Sequence, residues 1–322
     1  MAVQHIAKPA VNEETEGLIP DWAREGLSEE SQRCLDNLAR YKAPEIPDFG
    51  LVKQAAVLVV LFQEPGDDQL SVLLTTRSKT LRRHPNQTAL PGGKVDPEDP
   101  SPRFTARREA FEETGFPLEP HKHIHHLTTL DPVVTILPLN AHIRNHIIVI
   151  PVVCFVSDYS IIQGLVPSPD EVDRIFTHPL KGCHEGRVWG KDQDELVEIG
   201  GEWWPHTEEF YCAENRTGAT GGYRMHRFRT KHSPIKGLTA DILINTATVA
   251  YDSPPAFTRF APHQPAFSTV IANVVLELPN VLELESSRAE VLAQGKEHRP
   301  LEWGGTELGV RIPSGETWHE RA

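Results

Sequence analysis

The stretch from Leu90 to Phe116 constrains this 322-residue chain most, because it fixes a helix at both ends and loads one side of it with charge. Ser101 offers a hydroxyl to cap the first turn, and Pro102 suits the first helical position, where no N–H is needed. Gly115 stands where a left-handed residue closes a helix. The span between them predicts about three to four turns. Glu109, Glu112 and Glu113 then fall at i, i+3 and i+4 and share a face, and Arg108 lies four residues before Glu112, within pairing reach. Three such carboxylates repel one another unless a cation neutralises them. Hard oxygen ligands on a rigid element suit Mg²⁺ or Mn²⁺, with water and phosphate oxygens completing the shell. The Gly92-Gly93 pair upstream lets backbone come close to that ion. This is the equipment of metal-assisted displacement at phosphorus. A bare Glu-rich helix face is more often simply solvated, so the residues around it decide.

Around this helix the chain reads as a mixture of strands and helices without regular alternation, an α+β pattern. Ala55 to Phe62 is a run of small and β-branched apolar residues, Glu64 to Asp68 a turn and Leu70 to Thr75 a return strand, together a hairpin. Ile147 to Val156 predicts a buried strand, in which Pro151 implies an edge or a bulge. Tyr223 to Phe228 reads as a strand, Thr239 to Tyr251 as a helix and Thr269 to Leu278 as a strand. In front, Ser28 to Tyr41 predicts a helix with Cys34, Leu38 and Tyr41 on one face, followed by a linker at 44–50. The expected organisation is an arm over 1–50, a domain over 51–252 with an insertion at about 183–222, and an extension over 253–322.

The residues from Arg108 to Phe116 resemble the second half of the Nudix box, G-x5-E-x7-R-E-U-x-E-E-x-G-U with U apolar, at every specified position. The first half departs: six residues after Gly93 stands Asp99, and the spacing to Arg108 is one residue longer. Upstream, Leu73 to Asp99 is similar to the signature of the coenzyme A subgroup, LLTxRSxxLRxHxGQVxFPGGxxDxxD, which shares that Asp and that extra residue. The resemblance implies a Nudix fold, a mixed β-sheet sandwiched between helices. It implies Glu109, Glu112 and Glu113 as metal ligands for Mg²⁺ or Mn²⁺, with Arg108 orienting the carboxylates. It implies substrate contacts from Arg77, Arg82, His84, Gln87, Gly92 and Gly93. The implied reaction is hydrolysis of the diphosphate of coenzyme A or its derivatives to adenosine 3′,5′-bisphosphate and a 4′-phosphopantetheine compound. Asn86, Thr88 and Leu90 replace the subgroup's Gly, Val and Phe, and Arg107 replaces a Leu. Those changes keep other nucleoside diphosphate substrates open: oxidised nucleotides, ADP-ribose or capped RNA. A non-catalytic nucleotide-binding module is the third reading, and the intact glutamates argue against it. Glu171, after a Pro-rich loop, is a candidate outer ligand or base.

Charge bears on the partner. With 45 Asp and Glu against 32 Lys and Arg the net charge is −13, which disfavours polyanions in general. Yet Gln69–Val95 holds five bases and no acid, and Asn215–Ala240 six bases and no acid. The remainder sets 21 bases against 45 acids, so a locally basic channel in an acidic chain fits a small phosphate-rich molecule better than extended nucleic acid. No run approaches the ~20 apolar residues of a membrane span, so no membrane partner is expected. Met1 to Gly17 resembles neither a secretory signal nor a transit peptide, and four scattered cysteines suit a reducing compartment. An intracellular, cytoplasmic protein is expected. A peroxisomal place stays open although the chain ends His319-Glu320-Arg321-Ala322 rather than in an SKL-type signal, and a homodimer stays open as well. His121, His123 and His125 alternate with the spacing of zinc ligands on one strand face, but without partners at ligand spacing they read as a polar strand. The aromatics of the 183–222 insertion read as packing residues.

Overall fold

The computed structural model describes residues 18–293 except 43, 119, 137–141, 219 and 220. The expectations for the first 17 residues and for the polar tail fall outside the described residues. The predicted arm helix is α1 (Glu29–Arg40), capped by the Ser28 hydroxyl, which accepts the Ser31 N–H. The predicted hairpin pairs β1 (Lys53–Gln63) with β2 (Leu70–Arg77) antiparallel, Leu61 opposite Val72. Short strands β3 (Thr88–Ala89) and β4 (Gly92–Lys94) then add to β2 and β1 respectively. The carboxylate helix is α2 (Pro102–Thr114), with Ser101 as N-cap, Pro102 in the first turn and Gly115 left-handed at its end. Next, β5 (Ile124–Thr129) and β6 (Val133–Val134) pair antiparallel with β7 (Ile147–Val156), which runs parallel to β1. After the short helix α3 (Tyr159–Gln163), β8 (Val172–Pro179) closes the eight-stranded mixed sheet against β2.

Alternation along β1 explains the layering. Ala55, Val59 and Leu61 point to one face, where they meet Leu35 and Leu38 of α1 and Ile242, Leu243 and Ala247 of α6 (Leu238–Tyr251). Ala56, Leu58, Val60 and Phe62 point to the other, against Ala106 and Ala110 of α2 and Phe116. The small residues on the inner side of α2 let the helix lie close to the strand. The sheet is therefore sandwiched between helices, as expected. Between β8 and α6 the chain forms α4 (Leu180–Glu185), α5 (Lys191–Asp194) and a second antiparallel sheet of β9 (Tyr211–Gly218), β10 (Gly221–Phe228) and β11 (Ile235–Lys236). The insertion's aromatics pack as expected in part: Trp204 is fully buried and Tyr211 stacks on Phe257 at 4.2 Å, whereas Trp189 and Trp203 are exposed. His123 and His125 lie edge-on to Trp22 and beside the Ser157 hydroxyl, so they anchor the arm rather than gather a metal.

Three expectations are corrected. The strand carrying Pro151 is internal, flanked by β1 and β5, and the bulge falls in β5 between His126 and Thr128. The Pro151 carbonyl accepts the Leu130 N–H, so its nitrogen faces the gap between β5 and β6, where no ladder bond is required. The stretch Thr269–Leu278 is helical, within α7 (Phe267–Ala293). Its β-branched composition suggests a strand, but Val270, Ile271, Val274 and Leu278 form one helical stripe packed on Val134, Ile148 and Tyr223. By length and composition Phe267–Ser287 is also apolar enough to cross a membrane, contrary to the expectation that no such segment exists, and Leu276 and Leu284 on it are exposed.

Gly115 has φ +72° and no atom within 4 Å of where a Cβ would stand, so a side chain there costs backbone strain and nothing else. Gly115→Ala should lower stability by about 1 kcal/mol. Urea unfolding would then show an earlier midpoint with an unchanged slope; an unshifted midpoint would mean that α2 does not end in a left-handed turn.

Candidate active site

The end of β4 is pressed between β1 and α2, and two adjacent glycines permit it for different reasons. A Cβ on Gly92 would lie 2.4 Å from the Ala56 carbonyl oxygen and 2.6 Å from Val57 Cα. A Cβ on Gly93 would lie 2.3 Å from Glu109 Oε2. The backbone is thereby brought against the carboxylate face of α2, and the Gly92 N–H donates to Glu113 Oε2 at 3.2 Å.

Exposure grades steeply across the three carboxylates: Glu113 is 6% exposed, the Glu109 side chain 18% and the Glu112 side chain 50%. Burial pushes the Glu113 carboxyl up to about 8, reinforced by the charges of Glu109 and Glu171 and opposed by the Gly92 N–H and by Arg77. Burial likewise raises Glu109, with Arg108 pulling the other way and Glu112 and Glu171 adding to the rise. Carboxylates held in this way gain most from a cation, and an all-oxygen donor set suits a hard one. Among the described residues the three glutamates do not all bring an oxygen within 4.8 Å of one another. Arg108 accounts for this: its Nη1 donates to Glu109 at 3.0 Å and to Glu112 at 3.1 Å, and holds Glu112 on the exposed side. Glu109 and Glu113, with Gly92 and Gly93 beside them, form the inner pair.

Asp99, which the box spacing leaves without a role, braces this arrangement. Its side chain is 4% exposed and accepts Arg108 Nη2 at 2.9 Å, Arg108 Nε at 3.2 Å and the Thr105 hydroxyl at 2.8 Å. Burial opposes its ionisation, yet the hydrogen bonds from Arg108, the Asp96 N–H and Thr105 hold its carboxyl below the usual range. The signal for it was the extra residue before Arg108. Glu171 also belongs here: it is exposed, its charge is felt at Glu109 and Glu113, and its carbonyl accepts the Ser78 N–H at 2.8 Å.

The expected substrate residues separate. Arg77, at the end of β2, is felt electrostatically by Glu113, and its buried Nε has no hydrogen-bond partner. Arg82 and His84 are exposed on the loop that follows, outside the carboxylate cluster. Gln87 closes the base of that loop through its carbonyl, which accepts the Arg77 N–H at 3.0 Å. Asn86 has φ +56°, a conformation that glycine adopts freely and asparagine tolerates, so this departure from the subgroup keeps the turn. Thr88 donates its hydroxyl to the Ser233 carbonyl at 2.5 Å, tying the loop to the β10–β11 connection. Arg107, 3% exposed, lies over the Phe116 ring at 4.8 Å and is part of the packing.

The second basic stretch does not line a channel as expected. Arg216 and Arg227 pair with Glu214, Lys231 with Glu195, Arg224 with Asn215 and the Thr258 carbonyl, and Arg229 with the Glu209 carbonyl. A cleft of about 430 Å³ lined by Ser28, Asp67, Lys181, Trp189 and Lys191 contains none of the clustered glutamates. Chemistry rather than concavity marks the site.

Comparison with known proteins agrees with this geometry. The NUDIX domain family matches residues 52–220. "Nudix hydrolase 15, mitochondrial" of Arabidopsis thaliana is 36% identical over 217 residues, which cover 67% of this chain and 65% of that protein. The match thus spans slightly less than two thirds of that relative's length. "Peroxisomal coenzyme A diphosphatase NUDT7" of Mus musculus is 31% identical, covering 63% of this chain and 72% of that protein. "Peroxisomal coenzyme A diphosphatase 1, peroxisomal" of Saccharomyces cerevisiae is 36% identical, covering 68% and 77%.

Because a Cβ at position 93 meets the flexible end of Glu109 rather than backbone, Gly93→Ala should fold while displacing that carboxylate. Divalent-metal-dependent turnover should fall at least about tenfold, or roughly 1.4 kcal/mol, with an unchanged melting temperature. Unimpaired turnover would show that Glu109 need not stand where the structure places it.

Proposed function

The chain belongs to the Nudix family, and we propose that within it this protein hydrolyses the diphosphate of coenzyme A or of its acyl or oxidised forms. The products are adenosine 3′,5′-bisphosphate and a 4′-phosphopantetheine compound. The observation that carries the reaction class is the buried Glu113 carboxyl, hydrogen-bonded to the Gly92 backbone beside Glu109. The substrate reading is supported by the Leu73–Asp99 string and by two relatives that bear the name coenzyme A diphosphatase.

Nudix hydrolases generally need a divalent metal, and Mg²⁺ or Mn²⁺ fits the oxygen donors of Glu109 and Glu113, with water and substrate phosphates supplying the rest. Such an ion, when bound, stabilises charge on the phosphate oxygens and lowers the pKa of water. The chain's own residues do the positioning. Arg108, fixed by Asp99, holds Glu112 and keeps Glu109 turned to the Gly93 backbone. Arg77 adds positive charge next to the cluster where a diphosphate must sit, and the exposed Arg82 and His84 extend polar contacts along the loop toward the rest of the molecule. Water forms the new P–O bond as the bridging P–O bond breaks, and the leaving phosphate departs as the second product. The hydrolase domain is taken as residues 51–252. The names of the relatives divide between mitochondrion and peroxisome, so kinship does not set a compartment.

A second reading, hydrolysis of another nucleoside diphosphate compound, is favoured by one observation: Thr88, where the subgroup signature has Val, gives its hydroxyl to the Ser233 carbonyl, a polar contact Val cannot make. A kinetic panel of coenzyme A, its form lacking the 3′-phosphate, and ADP-ribose separates the two. Coenzyme A should be preferred by roughly tenfold or more in kcat/KM, and a preference for ADP-ribose would sink the substrate claim. Glu113→Gln should lower kcat by about a hundredfold or more at saturating Mg²⁺; near wild-type turnover would remove Glu113 from the metal site.

A further inference from the structure

The insertion between β8 and β10 carries a second constellation that the diphosphatase chemistry does not use. Its turn at 204–210 is fixed by three bonds. The fully buried Trp204 donates its indole N–H to the Glu208 carbonyl at 2.7 Å. The Gly200 N–H donates to the Trp204 carbonyl at 2.8 Å, and the Arg229 N–H to the Phe210 carbonyl at 2.8 Å. The turn is therefore closed on itself and stitched to the strand that continues from β10. It sets His206 and Glu208 beside Cys212, the second residue of β9. One imidazole nitrogen, one carboxylate oxygen and the Cys212 Sγ all lie within 4.8 Å of one another, and no other group of three among the described residues does this. His206 rests edge-on against Trp204, with ring centroids 4.8 Å apart. Cys212 is 8% exposed and Glu208 faces solvent.

The donor set selects the ion. A thiolate and an imidazole are poor ligands for Mg²⁺ or Ca²⁺ and good ones for Zn²⁺, which takes sulfur, nitrogen and carboxylate oxygen in four-coordinate sites. Three ligands from a single H-x-E-x3-C run leave one position for water, as in exchangeable rather than fully closed sites. Burial pushes the Cys212 thiol up, and Arg227, opposite it on β10 and paired with Glu214 at 2.8 Å, pulls the other way.

We propose that His206, Glu208 and Cys212 form a Zn²⁺ site separate from the carboxylate cluster of α2. Binding forms the metal–sulfur bond as the Cys212 thiol gives its proton to solvent. The ion ties the 204–210 turn to β9 and so stiffens the β9–β10 hairpin. β10 runs on into the β10–β11 connection, whose Ser233 carbonyl accepts the Thr88 hydroxyl beside the 77–87 loop.

The test uses the full chain, reduced and freed of metal, with Mg²⁺ in excess to occupy oxygen-only sites. Co²⁺ serves as the spectroscopic probe and Zn²⁺ as the competitor. Wild-type protein should take up one equivalent of Co²⁺ with a sulfur-to-metal charge-transfer absorption that Zn²⁺ abolishes. Cys212→Ser should lose that absorption, and Cys183→Ser, whose thiol is buried outside the cluster, should keep it. His206→Gln changes a partly exposed side chain and should fold, yet weaken Co²⁺ binding at least about tenfold. Absence of the absorption in wild-type protein, its survival in Cys212→Ser, or undiminished affinity in His206→Gln would each overturn the proposal.

Discussion

Everything at the candidate active site depends on one hydrogen bond in a poorly solvated place, that from the Gly92 N–H to the Glu113 carboxylate. A carboxyl as buried as Glu113 resists ionisation, and one backbone donor with Arg77 nearby does not undo that resistance. The fold thus stores a demand for positive charge at a fixed point. Arg108 does not meet it at Glu113, because Asp99, Glu109 and Glu112 engage its guanidinium. That demand at Glu113 sets the inner pair of carboxylates apart from a solvated helix face.

The sheet delivers that bond. Parallel pairing with β7 fixes β1 in the middle of the sheet, and β4 adds to its other edge only because position 92 lacks a Cβ. Ala106 and Ala110 bring α2 down on the same strand, so the helix and the glycine pair meet over Ala56 and Val57. The long elements set the distance and the short strand supplies the donor. The substrate loop follows from the same frame, since it leaves β2 at Arg77 and returns at Gln87, one strand away from the carboxylates.

Local signals were legible in the sequence. Ser101, Pro102 and Gly115 marked α2 because caps act within one turn, and the i, i+3, i+4 spacing put the glutamates on one face without reference to the rest of the fold. Features that depend on residues far apart in the chain were not legible. Pro151 reads as an edge or bulge residue until its neighbour's ladder is seen to break beside it. Thr269 to Leu278 reads as a strand until its stripe meets Val134 and Tyr223. The basic run after Asn215 reads as a phosphate channel until Glu214 and Glu195, one before the run and one on another segment, are found on its side chains. The grading of the three glutamates by burial, which separates Glu109 and Glu113 from Glu112, is likewise a property of packing and not of spacing.

Burial raises the Glu113 carboxyl, so a divalent cation that binds there must displace its proton. Calorimetric titration of the metal-free protein with Mn²⁺ near pH 7, in buffers of different ionisation enthalpy, reads the proton count directly. With the carboxyl pushed up to about 8, binding should release close to one proton per metal ion, and Glu113→Gln should release none and bind more weakly. Release that is absent in the wild type, or unchanged in Glu113→Gln, would show that Glu113 is not the group that gives up a proton to the metal.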